Sequence, residues 1–319
     1  MILRTTFKDD TLQKELIISE LVQKKVQQQH PVPIVFKQKQ HQTQYESDGF
    51  ILMDFLSDAE IVYVLEQFEA KTKWSNEGFF RSILTSIEGY NKWANTLLEP
   101  FGKRFIEQYM INYEVIASSF MVKGKGKDSF IHAHQDTTFV DETKYASFNI
   151  WIPLVDVNYK NGAISIMKGG HRIPFSIRGS NTPDTLQNQS DFTPDKLTYV
   201  PMKAGQALVY DHRCIHVSPA NKSGKTRPVM TIGIVPQNTP IFHYYYDKNG
   251  ALLQKYKVDE SFLYNQFLNP SKKPQNALLI DEQETTDFPS FTGESLKSFF
   301  ALQIPRKKSL FEIFNFLTI

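Results

Sequence analysis

Apolar and polar positions in the first hundred residues repeat with a helical period. In 11–29 (TLQKELIISELVQKKVQQQ), Leu12, Leu16, Ile17, Leu21 and Val22 recur near helical spacing among good helix formers, which predicts a helix. Two prolines and a glutamine-rich polar run in 31–44 break the pattern. Residues 1–44 therefore read as a helical arm packed on the main domain. Gly49 to Met53 is a short strand pattern. Ser57, with Glu60 three positions on, is a capping box that opens an amphipathic helix over about 58–70. A further helical stretch is expected over roughly 80–110, where Trp93, Leu97, Phe101 and Phe105 fall four apart on one face.

From 113 to 236 the period shortens. Apolar runs at 113–123, 146–153, 163–167, 197–201, 206–217 and 227–235 are separated by Gly, Pro, Asn and Asp. The strand–helix–strand alternation of a parallel sheet is missing, so a Greek-key or jelly-roll β fold with helices packed outside fits. The runs 241–247 and 251–257 flank Asp247-Lys248-Asn249-Gly250, a hairpin signal. Beyond 258 the chain reads as mixed helix and loop. The expected plan is an arm (1–44), a mainly β domain with N-terminal helices (45–258), and a helix and loop extension packed on it (259–319). The last stretch, Leu310 to Ile319, is amphipathic at helical spacing and reads as a packing segment.

Composition sharpens this only slightly. Hydrophobic residues make up 41% of the 319 and charged residues 22%, as in a soluble globular protein. The 25 Phe and 14 Tyr favour β structure and an aromatic-lined cavity. A net charge of +2 is too balanced to imply a nucleic-acid or membrane-surface partner. The lone Cys214 leaves no internal disulfide and suits a reducing, cytoplasmic setting. Acidic residues within the first ten positions oppose a signal peptide, and no apolar run reaches the ~18 residues of a spanning helix. Nothing in the pattern specifies an oligomeric state.

The chemistry concentrates at 130–138, Phe-Ile-His-Ala-His-Gln-Asp-Thr-Thr. His134 and Asp136 lie two apart, and on a strand such residues share a face, so an imidazole and a carboxylate can grip one ion. Two histidines and one carboxylate form the ligand set of non-haem iron oxygenases, with open positions left for a co-substrate and dioxygen. A His-x-Asp pair alone is weak, because such triplets arise by chance. The third ligand must come from elsewhere, and His216, ending the run from Ala207, is the best candidate. Arg227 opens the next run after a turn-rich connector, and an antiparallel return brings its guanidinium back beside the metal. There it suits the far carboxylate of a dicarboxylate, to which it can give two parallel hydrogen bonds, with Ser218 placed to donate another. His132 would share a strand face with His134 but has no carboxylate two residues on, and reads as a pocket-wall residue contacting a small-molecule substrate. His171 reads as a loop residue, His212 as a structural histidine and Cys214 as a small buried group.

In this order, the pieces resemble the phytanoyl-CoA dioxygenase family of iron(II)/2-oxoglutarate-dependent dioxygenases. They are Asp48-Gly49-Phe50 with the capped helix after it, His134-Gln135-Asp136, Trp151 ahead of Asn161-Gly162, Gly169-Gly170-His171, and His216-x-Ser218 followed by Arg227, together spanning about 45–236. The family has Gly-Ser-His where this chain has Gly-Gly-His. The resemblance implies a double-stranded β-helix, a cupin-like jelly roll. It implies iron(II) held by His134, Asp136 and His216, and the C5 carboxylate of 2-oxoglutarate held by Arg227 and Ser218. Trp151 and Lys123 would line the co-substrate pocket, and dioxygen would be the second co-substrate. The implied reaction hydroxylates an aliphatic C–H bond of an amino acid, specialised metabolite or acyl derivative, releasing succinate and carbon dioxide. The same iron chemistry can end in desaturation, cyclisation or epimerisation. The rival from another class is a non-catalytic metal-binding or sensor protein on the same scaffold. Asp136 stands where related halogenases carry a small residue, which argues against halogenation. Substrate contacts are expected from the loops 74–90, 137–145 and 173–195, with 173–195 as a mobile lid, and from the C-terminal segment.

Overall fold

The structure is a computed structural model that describes residues 32–72, 77–173, 176–179, 181–265, 272–275, 277–286 and 288–303. The helix expected over 11–29 and the amphipathic stretch 310–319 lie outside the described residues. Val32 to Ser290 form one compact unit, and Phe291 onwards belongs to a second.

The first helix of the larger unit, Lys39–Asp48 (α1), falls on the polar run expected to break helical order. Sequence periodicity could not show it, because it buries only Gln42 and Tyr45. Gln42 is held by hydrogen bonds rather than apolarity: its side-chain oxygen accepts from the main-chain N–H groups of Val35 and Phe36. Gly49 ends the helix at φ 81°, and a Cβ there would meet His171 Nδ1 at 2.5 Å, so both the turn and the close packing demand glycine.

Strand Phe50–Asp54 (β1) comes next, then helix Asp58–Lys71 (α2), opened by the expected reciprocal Ser57–Glu60 capping box. The stretch expected as one helix over 80–110 divides into a short strand, Phe79–Arg81 (β2), a single 3₁₀ turn, and a helix at Tyr90–Tyr109 (α3). Along α3, Ala94, Leu98 and Phe105 are fully buried, while Trp93, Leu97 and Phe101 pack at the margin of the same core.

The β region follows the expected runs in Tyr113–Lys123 (β3), Phe148–Pro153 (β5), Ser165–Ile166 (β6), Thr198–Tyr199 (β7), Gln206–Asp211 (β8), His216–Ser218 (β9) and Arg227–Pro236 (β10), and adds Ile131–His134 (β4), outside those runs. They form two antiparallel sheets. The larger has the order β1-β8-β5-β10-β3-β2, the smaller β4-β9-β6-β7. From β3 to β10 the chain shuttles between them: β3, β5, β8 and β10 lie in the larger sheet, β4, β6, β7 and β9 in the smaller. This is a double-stranded β-helix, the cupin-like jelly roll. One face of the larger sheet carries Phe120, Val122, Phe148, Ile150, Ile152, Val209, Met230 and Ile232 in a core shared with Val64, Phe68, Leu98 and Phe105 of α2 and α3. The other face, with Trp151, Leu208, Tyr210 and Val229, packs with Ile164 and Ile166 of the smaller-sheet side. Burying each large apolar side chain contributes about 1.5–3 kcal/mol.

The run 206–217, expected as one strand, is broken in two at Asp211–Arg213. Asp211 accepts from the Arg213 main-chain N–H at 2.9 Å and from its guanidinium at 2.8 and 2.6 Å, and from the Tyr45 hydroxyl at 3.0 Å. That buried corner turns the chain from the larger sheet into the smaller, and so delivers His216 opposite β4.

The hairpin Ile241–Asp247 (β11) and Leu252–Val258 (β12) forms as expected. It is joined by Leu278–Glu284 (β13), a strand in a region expected as helix and loop. All seven of its residues are exposed, so its sequence carries no inside–outside alternation to betray it. A short helix, Glu260–Asn265 (α4), lies between β12 and β13. The second unit contains the helix Gly293–Gln303 (α5), preceded by reciprocal hydrogen bonds between Thr292 and Ser295. Among the described residues, no helix is long and apolar enough to cross a membrane.

Candidate metal centre

His134 ends β4 and His216 begins β9, and the two are direct cross-strand partners. Their rings lie 4.3 Å apart between centroids. Asp136 lies just beyond the end of β4, where its main-chain N–H donates to the His212 carbonyl at 2.9 Å. Its carboxylate comes within 3.7 Å of His134 Nε2 and 3.9 Å of His216 Nε2. Ligand atoms from all three residues lie within 4.8 Å of one another, a grouping able to hold one metal ion.

Both imidazoles are oriented alike. The Nδ1 of His134 pairs with the His132 carbonyl at 2.8 Å, and that of His216 with the Cys214 carbonyl at 3.0 Å. With Nδ1–H donating, each Nε2 lone pair turns towards Asp136, as metal ligation requires. Burial, and then repulsion from His134, bring the His216 pKa down to about 4, which keeps its ring neutral. Burial opposes charge on Asp136, but the neighbouring histidines outweigh it and hold its carboxyl well below the usual range. Its Oδ1 is the oxygen nearest both Nε2 atoms, and its Oδ2 is buried without a hydrogen-bond partner. Tyr210 sets its hydroxyl 3.5 Å from His216 Nε2, and burial foremost pushes its pKa well up, so it remains protonated.

A second group of polar residues lines the same interior. Lys123 and Arg227 are opposed on β3 and β10, and directly opposed residues point to one face. Trp151 joins that face through its pairing with Thr231, and its ring lies 5.2 Å from the Arg227 guanidinium carbon. Arg227 is only 2% exposed, yet its Nε and Nη1 donors have no partner. Burial alone lowers its pKa to about 9. Lys123 donates to the carbonyls of Ser218 and Pro219 at 2.8 and 2.6 Å. Burial, and then Arg227, bring its pKa down to about 6. Ser218 is on this wall, but its hydroxyl proton is committed to the Gly162 carbonyl at 2.7 Å. A buried guanidinium with open donors, beside an amine that an anion would return to its charged form, suits this wall to a carboxylate.

His132 is not drawn into the cluster. A bulge in β4 sets Ile131 opposite Ser218 and His134 opposite His216, so simple alternation does not hold there. The His132 side chain is exposed and rests edge-on against Phe130, 5.0 Å between centroids. His171 lies against Tyr45, away from the cluster, and His212 pairs with the Ser147 hydroxyl at 2.8 Å.

Arg178 has no counterpart among the residues expected from the sequence. Its guanidinium donates to the Asp136 carbonyl at 2.6 Å and to both carboxylate oxygens of Glu142. It comes from the 173–195 stretch expected to be a mobile lid. Two described residues of that stretch are hydrogen-bonded to β4 and the residue after it, Thr185 donating to Gln135 and Gln189 to the Ala133 carbonyl. No local motif announces such contacts, which join loops only after folding.

A family model described as phytanoyl-CoA dioxygenase (PhyH) matches residues 45–229. The phytanoyl-CoA dioxygenase domain-containing protein 1 of Danio rerio is 25% identical over 141 residues, covering 42% of this chain and 48% of that protein. A phytanoyl-CoA dioxygenase of Arabidopsis thaliana is 27% identical over 124 residues, 38% of this chain and 44% of that protein. The chain spans about half the length of the curated relatives it matches. Among solved structures, EvdO2 from Micromonospora carbonacea var. aurantiaca, complexed with 2-oxoglutarate, superposes with a TM-score of 0.47 at 16% identity, over 62% of this chain and 91% of that one.

Proposed function

The chain belongs to the phytanoyl-CoA dioxygenase family, and from that premise we propose that it is an iron(II)- and 2-oxoglutarate-dependent oxygenase that hydroxylates an aliphatic C–H bond of a small molecule. His134, Asp136 and His216 would hold iron(II), and Arg227 and Lys123 the distal carboxylate of 2-oxoglutarate, with Trp151 lining that pocket; Ser218, whose hydroxyl proton goes to the Gly162 carbonyl, would border it without donating. Iron and 2-oxoglutarate together supply dioxygen activation, with one oxygen atom going to the substrate and the other to succinate as carbon dioxide leaves.

The observation that carries this reading is Arg227: a buried guanidinium with two unpaired donors, on the same interior as a two-histidine, one-carboxylate cluster. His216 and Ser218 are two residues apart on β9, hence on one face and about 6.6 Å apart along the strand. Lys123, the cross-strand partner of Arg227, donates to the Ser218 carbonyl, so the cationic wall adjoins the strand that carries His216. Trp151 shields the guanidinium from water, which strengthens its hold on an anion. Lys123, pinned by two carbonyls, is oriented to share the charge. The His132 and Cys214 carbonyls fix the two imidazoles before metal arrives, so little ordering remains at binding.

The test needs no substrate. Anaerobic protein is given iron(II), then 2-oxoglutarate, and the visible spectrum is recorded. A metal-to-ligand charge-transfer band that appears with wild type and is lost in Arg227→Ala at matched concentration supports the assignment. Iron-loaded, folded wild type that gives no band points instead to a non-catalytic or differently fuelled metal protein. With a substrate in hand, product mass separates hydroxylation, which adds an oxygen atom, from desaturation, which removes two hydrogens.

A further inference from the structure

Arg81 is an interior-facing cation that the co-substrate wall does not use. β2 pairs with β3 so that Phe79 lies opposite Lys123 and Arg81 opposite Met121. Opposed residues share a face, so Arg81 belongs to the same face of the larger sheet as Lys123 and Arg227. Phe80, between Phe79 and Arg81, turns the other way and meets Tyr90 edge-on at 5.8 Å. β2 is the last strand of the sheet, so Arg81 stands at its rim, where it is exposed to solvent. Its guanidinium carbon lies 5.7 Å from the Phe79 ring, a contact that limits its wandering.

This cation has no ion-pair partner among the described residues. Desolvation disfavours its charge, the Asp136 carboxylate favours it, and its own charge acts in turn on His134. Once a divalent metal claims the Asp136 carboxylate, Arg81 is left with no negative charge facing it. Lys123 and Arg227 sit deeper and are both buried, so the two cationic positions are distinct: one closed, one at the mouth. A single planar guanidinium at a rim suits a single carboxylate, which it can hold with two parallel hydrogen bonds.

We propose that Arg81 is the substrate-recognition residue, binding a carboxylate of the substrate at the mouth of the metal centre, so that this protein acts on a free carboxylic acid. The proposal rests on the oxygenase reading and names its substrate class. It also gives Phe79 a part, as the ring that keeps the guanidinium extended towards the entering molecule.

The test is binding to the anaerobic, iron(II)-loaded protein saturated with 2-oxoglutarate. Butyrate, hexanoate and octanoate are titrated by calorimetry beside their primary amides. Wild type is expected to prefer a carboxylate over its amide by roughly ten- to a hundredfold. Arg81→Gln should abolish that preference, and Arg81→Lys should keep part of it. Iron stoichiometry and 2-oxoglutarate affinity should be unchanged in both. The proposal is overturned if no carboxylate binds wild type, if amides bind equally well, if Arg81→Gln keeps the preference, or if Arg81→Gln weakens 2-oxoglutarate, which would assign Arg81 to the co-substrate. Failure of 2-oxoglutarate to bind iron-loaded wild type is a separate result that overturns the oxygenase reading, and it is read before any carboxylate is added.

Discussion

Arg178 donates its Nε–H to the main-chain carbonyl of Asp136 at 2.6 Å while its two terminal nitrogens grip Glu142 at 3.0 and 2.5 Å. The side chains of Arg178 and Glu142 are 6% and 1% exposed, so the pair is sealed from water. It fixes the short segment that bends Asp136 back to the histidines after β4 has ended.

Arg178→Ala should therefore act twice. It strands a buried carboxylate, expected to lower stability by about 3–5 kcal/mol. It also frees the Asp136 segment, expected to lower iron affinity about 10–100-fold. The double variant Arg178→Met, Glu142→Gln removes both charges and separates the effects. It should regain most of the stability, read by urea unfolding, while iron affinity stays low in anaerobic titration. Wild-type iron affinity in that folded double variant would show that Asp136 is held in place without Arg178.

His134→Ala and His216→Ala should each abolish stoichiometric iron binding, because each removes one of three ligands while leaving the two sheets intact. Iron content after anaerobic gel filtration is the measure. Both variants retaining tight, stoichiometric iron would refute the triad. Asp136→Gly is expected to lose hydroxylation for the same reason.

The interior of the jelly roll could be read from the sequence because its strands are buried and apolar, so turns and runs mark their ends. The triad was legible for a related reason: its members lie on or beside strand ends, where residue spacing maps onto space. Three things were not legible. α1 is held by Gln42 and Tyr45 and has no apolar stripe. β13 is exposed throughout. Arg81 and Arg178 gain their meaning from partners brought near by sheet pairing and loop contacts, at sequence separations no local pattern spans. The split of 206–217 into β8 and β9 did have a signal, the polar triplet Asp211-His212-Arg213 within an apolar run, whose two charges form the corner.

Gly162 couples stability to the co-substrate wall. It sits at φ 85°, its carbonyl accepts from Ser218, and a Cβ there would lie 2.5 Å from the Pro219 carbonyl and 3.2 Å from Lys123 Nζ. Gly162→Ala should cost about 1–2 kcal/mol from backbone conformation alone, and more because the Pro219 carbonyl must move. Since Lys123 leans on that carbonyl, 2-oxoglutarate binding should weaken together with the urea midpoint. A variant as stable as wild type with unchanged co-substrate affinity would break the link between this turn and the wall.

Lys123 makes co-substrate binding sensitive to pH in a definite direction. Burial, and then Arg227, hold its pKa near about 6, so near neutral pH the amine is largely uncharged in the free protein, whereas an unfolded lysine is charged. An arriving carboxylate favours the charged amine and raises its pKa, so binding above about pH 6 takes up a proton and weakens as pH rises. Calorimetry of 2-oxoglutarate in two buffers of different ionisation enthalpy should reveal uptake approaching one proton, absent in Lys123→Met. Identical enthalpies in both buffers for wild type would mean that Lys123 does not change its charge. The same shift bears on folding. With the folded pKa below the unfolded one, the unfolded chain binds the extra proton between about 6 and 10.4, so stability rises with pH across that window and the penalty is complete below it. Lys123→Met should therefore be more stable than wild type near neutral pH and bind 2-oxoglutarate less tightly, because the amine that must give up its proton when the empty chain folds is the one that regains it to hold the co-substrate.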